Sequence, residues 1–414
     1  MWSIILKNIK NVVILGSTGS IGSNTLDVIN DHPDKLNLFC ISGFSNIDKL
    51  AYQSIKYKSE FVIVPDQKSY KYFSEYCKNK YGFIFSKILI GNQALIDIVS
   101  DSYCDIVVSA IVGLAGLSST LAAANAGKKI LLANKESLVA AGHLFMNSIS
   151  IHKAEIIPID SEHNAIFQCL NYSSKYNKNN NNVKYINKLW LTASGGPFRL
   201  YTTHQLQNVT AEDTCKHPTW KMGKKISVDS ATLFNKCLEI IESYWLFNID
   251  YNNIDVLVHP QSIVHAIVEY IDGSSLAQLS NPDMRIPISY ALGFPERIHN
   301  KAFHLDLSKV KNLEFYKPDI IKFPCLSLYK TVLNIGQGGC VAMNAANEIA
   351  VNWFLKNTIK FTSIYLVIIE AINWYIININ KFSKDCSNLD EILLIDNEIR
   401  KFTESFISKN INKL

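Results

Sequence analysis

The stretch from residue 11 to residue 30 most constrains what this chain can fold into. Val12-Val13-Ile14-Leu15 is a short, β-branched run suited to a strand buried on both faces. It feeds directly into Gly16-Ser17-Thr18-Gly19-Ser20-Ile21-Gly22, and residues 24–30 supply a following helix. Glycines spaced by three let the backbone approach a pyrophosphate, and the N–H groups at the helix start offer partial positive charge there. Spaced glycines alone also arise for purely steric reasons. The strand before them and the helix after them favour dinucleotide binding.

The next strand, residues 38–41, runs into Ser42-Gly43-Phe44-Ser45-Asn46, where an NAD-preferring fold places an acidic residue for the ribose hydroxyls. No carboxylate stands there. A 2′-phosphate would meet no repulsion, and Ser42, Ser45, Asn46 and Lys49 are candidates to contact it, so NADP is the expected cofactor. Further apolar runs at 61–64, 105–110 and 129–132, with helical stretches such as 117–126 between them, read as alternating βα units. The expected domain is a doubly wound parallel sheet. Its ligand would lie at the carboxyl ends of the strands, near residues 16–22, 110–113 and Asn134-Lys135-Glu136. Asn134 to Ser137 alone is also what an ordinary helix start looks like.

Pro158-Ile159-Asp160-Ser161-Glu162-His163-Asn164 sets two carboxylates two residues apart at the end of an apolar run. If residues 156–162 are extended, Asp160 and Glu162 project from one face of a strand. Their mutual repulsion is relieved by a divalent cation, a shared proton or full solvation. For an isolated Asp-x-Glu, a solvated strand end is the usual explanation. Downstream, residues 171–182 form a tract of Asn, Lys, Tyr and Ser too polar to bury itself and read as an inserted loop. A strand at 188–192 then enters Ala193-Ser194-Gly195-Gly196-Pro197, whose N–H groups and Ser194 hydroxyl suit an anion, although a plain β-turn accounts for it equally well.

His217-Pro218-Thr219-Trp220-Lys221-Met222-Gly223-Lys224-Lys225 mixes cations, apolar side chains, a proline and a glycine, as a loop closing over an anionic ligand requires; a solvated basic loop is the bland reading. Ile226 to Ser230 leads into a helix with an apolar stripe of Leu233, Cys237, Ile240, Ile241 and Tyr244. Its other face carries Asn235, Glu239 and Glu242, with Lys236 beside them. Most charged helical faces are simply solvated. A third carboxylate facing the Asp160/Glu162 segment would instead suit a hard cation such as Mg²⁺ or Mn²⁺.

At 414 residues, with 48% hydrophobic and 19% charged residues, the chain has room for several ordinary cores. A net charge of +5 without a basic block gives no support for nucleic-acid or membrane-surface binding. Nine cysteines scattered singly suggest a reducing compartment rather than a disulfide framework or a zinc cluster. Residues 364–377 are too short and too interrupted for a membrane span and read as a core helix. The opening Met1-Trp2-Ser3-Ile4-Ile5-Leu6 is too short for a signal peptide, so the cytoplasm is the expected location.

The runs Gly-Ser-Thr-Gly-Ser-Ile-Gly, Leu-Ala-Asn-Lys-Glu-Ser, Pro-Ile-Asp-Ser-Glu-His-Asn-Ala-Ile-Phe-Gln, Ala-Ser-Gly-Gly-Pro-Phe and Lys-Ile-Ser-Val-Asp-Ser-Ala-Thr resemble the 1-deoxy-D-xylulose 5-phosphate reductoisomerase family. His259-Pro260-Gln261-Ser262-Ile263-Val264-His265 and Pro282-Asp283-Met284-Arg285 extend the resemblance. It implies NADPH- and Mg²⁺- or Mn²⁺-dependent conversion of that sugar phosphate to 2-C-methyl-D-erythritol 4-phosphate, in a homodimer. It places Thr18, Gly19, Ser20, Ile21, Gly43, Asn46, Asn134, Glu136 and Gly223 at NADPH, and makes Asp160, Glu162 and Glu239 the metal ligands. Lys135, Ser161, Glu162, Ser194, His217, Ser230, Asn235, Lys236 and Glu239 would hold substrate, with Lys135 joining the three carboxylates as the catalytic set. The loop bearing Trp220 and Met222 would be the lid. Two departures stand out: Cys237 replaces a glycine usual in the family, and no basic residue stands in the 44–46 turn.

The expected architecture is α/β: a Rossmann-like doubly wound domain over 1–157, a central α+β catalytic domain over 158–293, a linker over 294–324 and a C-terminal helical bundle over 325–414. In that last region Ile392, Ile395, Ile399, Phe402 and Phe406 recur at helical spacing. Two other readings compete: a different NADP-dependent, metal-assisted dehydrogenase, and a noncatalytic dinucleotide-binding regulator. The regulator would need neither carboxylates nor a lid.

Overall fold

Residues 9–85, 87–170, 181–216, 223–382 and 386–414 are described by the computed structural model. The chain divides into two compact units, the first gathering residues 1–137, 145–164 and 283–302, the second 138–144, 165–282 and 303–414.

The first unit is built on seven strands, β1 (Lys10–Leu15), β2 (Leu36–Ser42), β3 (Phe61–Val64), β4 (Ile88–Ile90), β5 (Ile106–Ser109), β6 (Lys129–Leu132) and β7 (Glu155–Pro158), in the order β4-β3-β2-β1-β5-β6-β7. All neighbouring pairs are parallel. Val12 to Leu15 have no exposed surface, as a continuous apolar run in a sheet covered on both faces must. The crossovers are α1 (Ser20–Asn30), α2 (Ile47–Lys56), α3 (Gln67–Tyr81), α4 (Gly91–Ser100) and α5 (Leu117–Asn125). Strand order reverses between β1 and β5, so the glycine turn after β1 and the chain after β5 open a crevice at the sheet's switch point. The helix α6 (Lys135–His152) follows β6, and α7 (Ser161–Cys169) follows β7.

The second unit carries a four-stranded sheet of β8 (Ile186–Ala193), β9 (Ile254–Val258), β10 (Val264–Tyr270) and β11 (Ser275–Leu279), in the order β11-β10-β8-β9. β8 and β9 are parallel and the other pairs antiparallel. Two short helices, α8 (Thr203–Leu206) and α9 (Ala211–Thr214), precede α10 (Lys224–Ala231) and α11 (Phe234–Phe247). The chain then returns to the first unit for α12 (Arg285–Gly293), which packs on α1. The helices α13 (Leu328–Ile335), α14 (Gln337–Leu355), α15 (Ser363–Ile377) and α16 (Leu389–Asn410) complete the second unit. α15 is the core helix its composition requires, burying Ile364, Val367, Ile368, Ala371 and Ile372. In α16 the spaced Ile392, Ile395 and Ile399 are buried, giving a helical face its reason to pack. Among the described residues no helix is long and apolar enough to cross a membrane.

The structure corrects two local expectations. Residues 156–162 are not one extended segment: β7 stops at Pro158, and Ser161 and Glu162 open α7. Asp160 explains the break, because its carboxylate accepts the Ser161 N–H at 3.0 Å, a donor that a helix start leaves over, and its carbonyl accepts the first intrahelical bond, from the Asn164 N–H at 2.8 Å. Leu233, counted in the apolar stripe of one helix, stands between two; at φ 58° it turns the chain from α10 into α11.

Two outcomes follow from the packing. Gly16 has φ +86°, and a Cβ there would lie 2.7 Å from the Ala110 carbonyl oxygen of the strand-end segment after β5. Gly16→Ala should therefore lower unfolding free energy by about 1–3 kcal/mol or more, read as a lower urea midpoint at unchanged m-value. His259 has no exposed surface; its Nδ1 bonds the Glu314 carbonyl at 2.8 Å and its Nε2 accepts the Ile263 N–H at 3.2 Å, which requires the neutral ring. Burial pushes its pKa down against the opposing pull of the Glu314 carbonyl. A histidine depressed in the fold contributes stability above its unfolded value of about 6.5 and loses it as pH falls toward the folded value. His259→Asn should show a shallower decline in melting temperature below that pH than the parent chain.

Candidate active site

In the first unit the glycine turn is braced from beneath. The Ser42 hydroxyl, at the end of β2, accepts the Gly16 N–H at 3.0 Å, and Gln53 of α2 clamps Ser17, donating to its carbonyl at 3.0 Å and accepting its hydroxyl at 2.9 Å. Ser42 is buried and occupied in this way, so of the four residues considered for a 2′-phosphate it is the one the packing consumes. Asn46 caps α2 by accepting the Lys49 N–H at 2.9 Å, while the Lys49 ammonium donates to the Thr18 carbonyl at 2.8 Å. Gly43 is pressed so close that a Cβ would meet Thr18 Cγ2 at 2.8 Å. The segment after β2 and the glycine turn therefore share one surface. Gly19 and Ser20 are exposed, and Gly19 caps α1 without a side chain, which leaves its first N–H groups for a ligand.

Asn134 opens α6: its carbonyl oxygen accepts the Ser137 N–H at 3.3 Å and its amide donates to the Gly113 carbonyl at 2.9 Å. This fixes the first turn, where Lys135 and Glu136 are both buried. The Lys135 ammonium forms a tight ion pair with Asp160, and His163 Nδ1 stands 3.8 Å from the same carboxylate oxygen. Burial works to raise the Asp160 carboxyl, but the Lys135 ammonium and the His163 imidazole outweigh it and hold it well below the usual carboxylate range. Ser161 donates its hydroxyl to Glu162 at 2.6 Å. Lys135, Asp160, Ser161 and Glu162 are thus brought together at the ends of β6 and β7. Sequence reasoning gave His163 no role; its signal was the spacing of three from Asp160, which places two side chains on one side of a helix start but on opposite faces of a strand.

In the second unit the turn after β8 and the helix pair α10–α11 form a cradle. The Ser194 hydroxyl accepts the Gly196 N–H at 3.2 Å, and Gly196, at φ +67°, lies so close to α10 that a Cβ would sit 3.0 Å from the Ser230 carbonyl oxygen. Ser194 and Ser230 are therefore neighbours through that glycine. On α11, Asn235 donates to Glu239 at 2.5 Å and the Lys236 ammonium pairs with its other oxygen at 2.6 Å. Lys236 and Glu239 are both buried. Asp229, also buried, takes the Lys225 ammonium at 2.8 Å and the Asn347 amide of α14 at 2.9 Å, and so ties α10 to the helical core. Gly223 caps α10 and is exposed. His217, Trp220 and Met222 lie outside the described residues.

A doubly wound sheet with a bare glycine turn at its switch point, joined to a chain that carries helix-borne ammonium–carboxylate pairs and a serine cradle, is the class of nucleotide-dependent α/β enzymes. Family models for 1-deoxy-D-xylulose 5-phosphate reductoisomerase match residues 12–142, and its two C-terminal domain models match residues 156–247 and 279–402. The 1-deoxy-D-xylulose 5-phosphate reductoisomerase of Bordetella avium is 47% identical over 96% of this chain and 98% of its own length, and that of Burkholderia vietnamiensis 45% over 97% of each. A crystal structure of DOX-P reductoisomerase in complex with NADPH, fosmidomycin and magnesium superposes with a TM-score of 0.92 at 43% identity, covering 98% of this chain and all of that one. The Zymomonas mobilis enzyme in complex with NADPH gives 0.85 at 36% identity, with the same coverage. The chain belongs to the 1-deoxy-D-xylulose 5-phosphate reductoisomerase family.

The departure at Cys237 has a packing role. Its side chain has no exposed surface and its thiol lies 3.6 Å from the Met343 sulfur of α14. Cys237→Gly should cost about 0.3 kcal/mol in helix propensity and more for the void, read as a lower urea midpoint.

Proposed function

We propose that this chain converts 1-deoxy-D-xylulose 5-phosphate to 2-C-methyl-D-erythritol 4-phosphate with NADPH and a divalent cation, as a step of non-mevalonate isoprenoid synthesis. The match over nearly the whole length of relatives bearing that activity's name carries the reading. The reaction rearranges the carbon skeleton to a branched aldehyde. A hydride from NADPH then adds to the aldehyde carbon and a proton to its oxygen.

The residues fit both cofactors. The turn at Gly16 approaches its neighbouring strand end too closely for a side chain, and α1 keeps its first N–H groups for a pyrophosphate. Thr18, Gly19, Ser20, Ile21, Gly43, Asn46, Asn134, Glu136 and Gly223 are the proposed NADPH contacts. With no carboxylate in residues 42–46 and the Lys49 ammonium on the Thr18 carbonyl, Lys49 supplies the positive charge beside the 2′-phosphate. Asp160, Glu162 and Glu239 offer hard oxygen donors, the chemistry Mg²⁺ and Mn²⁺ require, and are the proposed ligands. When bound, such a cation stabilises the negative charge that develops on the adjacent carbonyl and hydroxyl oxygens of a ketose.

The chain's own residues do the rest. Ser194, Ser230, Asn235 and Lys236 bind the phosphate, combining three neutral donors with one ammonium. Lys135 and Ser161 hold the ketose end, and His217 completes the substrate contacts. Trp220 and Met222 belong to the proposed lid, whose role would be to keep water from the aldehyde. His163, beside the same Asp160 oxygen that pairs with Lys135, helps to orient that carboxylate. The functional division runs 1–157, 158–293, 294–324 and 325–414. The working form is a cytoplasmic homodimer: the nine cysteines stand singly in the sequence, as suits a reducing compartment, and β11, the outer strand of its sheet, leaves Leu276 half exposed.

The test is NADPH oxidation with product identification, with and without chelator. Turnover on 1-deoxy-D-xylulose 5-phosphate that stops with chelator and returns with Mn²⁺ is expected; no turnover in a folded sample with Mn²⁺ overturns the reading. Glu239→Gln should lower metal affinity by more than about 100-fold, the upper end for loss of a merely supporting group, while NADPH fluorescence titration stays nearly unchanged. Equal loss of both would remove Glu239 from the metal.

A further inference from the structure

Each unit holds a proposed metal carboxylate that already carries an internal cation. In the first, Asp160 is paired with Lys135, whose side chain is 6% exposed. In the second, Glu239 is paired with Lys236 at 2.6 Å, with side-chain exposures of 0% and 6%. Both lysines belong to the residues proposed to hold substrate. The pattern therefore occurs twice on unrelated elements, a strand end and a helix face. In each case one ammonium has two anionic partners to serve, a carboxylate of the metal set and an oxygen of the substrate.

We propose that Lys135 and Lys236 are stand-in cations: in the metal-free protein they neutralise Asp160 and Glu239, and binding of the divalent ion displaces them toward the substrate. This rests on the metal-ligand assignment above. A buried carboxylate without a counter-charge is costly, so each lysine keeps its carboxylate ionised and preformed before the ion arrives. Once the ion supplies two positive charges, an ammonium held against the same carboxylate repels it, and the strain is relieved when the lysine turns to an anionic substrate oxygen. Metal and substrate then favour each other's binding through the same two side chains, and the coupling is reciprocal. An order of events follows: the lysines become available to the phosphate and the ketose end only as the ion binds.

The experiment titrates Mn²⁺ into the full chain, following free Mn²⁺ by electron paramagnetic resonance, for the parent, Lys135→Met and Lys236→Met. Removing a competing ammonium should tighten Mn²⁺ binding by about tenfold, inside the usual range of such couplings. Unchanged or weaker binding in both variants overturns the proposal, because the lysines would then orient the carboxylates without competing for them. Glu239→Gln run alongside separates the two readings: if it binds Mn²⁺ as the parent does, the ligand assignment fails and the proposal with it. Since methionine beside a buried carboxylate can unfold the chain, a second measurement uses the parent alone. Acetylation of Lys135 and Lys236 by acetic anhydride, read by peptide mass spectrometry, should quicken with Mg²⁺, and a rate that is unchanged or slower counts against the displacement.

Discussion

A carboxylate withdrawn from water must be matched by positive charge, and that requirement organises this protein's chemistry. Asp160 is matched by Lys135, which reaches it from the first turn of α6, and Glu239 by Lys236, three residues before it on α11. Neither pair forms unless its surroundings are in place. Lys135 depends on Asn134 bridging the helix start to Gly113, and Asp160 on a strand that stops at Pro158. α11 depends on the left-handed turn at Leu233 that separates it from α10. The secondary structure near the site thus serves to bring each carboxylate within reach of its cation.

The nucleotide half obeys a different constraint, the closeness of backbone to backbone. β1 lies between β2 and β5, and Gly16 and Gly43 are where a side chain would strike a neighbour. The bonds from Gly16 to Ser42 and from Lys49 to Thr18 tie the turn to the end of β2 and the first turn of α2, on either side of the 43–46 segment. A rigid cradle of this kind loses little on binding, which is why such turns are built from short-range contacts rather than long side chains.

Much of this was legible in the residues. The run into Gly16, the strands at 61–64 and 129–132 and the isoleucine stripe of α16 carried their periods openly, because each is fixed by which faces are buried. For Asp160 to Glu162 the apolar run ahead favours a strand, whereas the Asp160 carboxylate, by accepting the Ser161 N–H, starts a helix there. His163 went unseen for the same reason, since only a helix start turns it toward Asp160. The Leu233 break was hidden because leucine carries no sign of a left-handed backbone.

The sequence by itself determined the class of fold, the family and the kinds of donor the site offers, because these depend on residue type and on spacing within single elements. Tertiary structure decided which partner each donor has. Ser42 went to the Gly16 backbone instead of a ligand, Cys237 to the Met343 sulfur, Asp229 to Asn347 of a helix more than a hundred residues on, and Lys135 to Asp160 across two strands' ends. A side chain's reach is only a few ångströms, so its choice of partner is fixed by which backbone segments the fold brings within that distance. The charge balance of Asp160 illustrates this: its residue type guarantees an acid, and only the fold's placing of the first turn of α6 beside it supplies the ammonium that keeps it ionised.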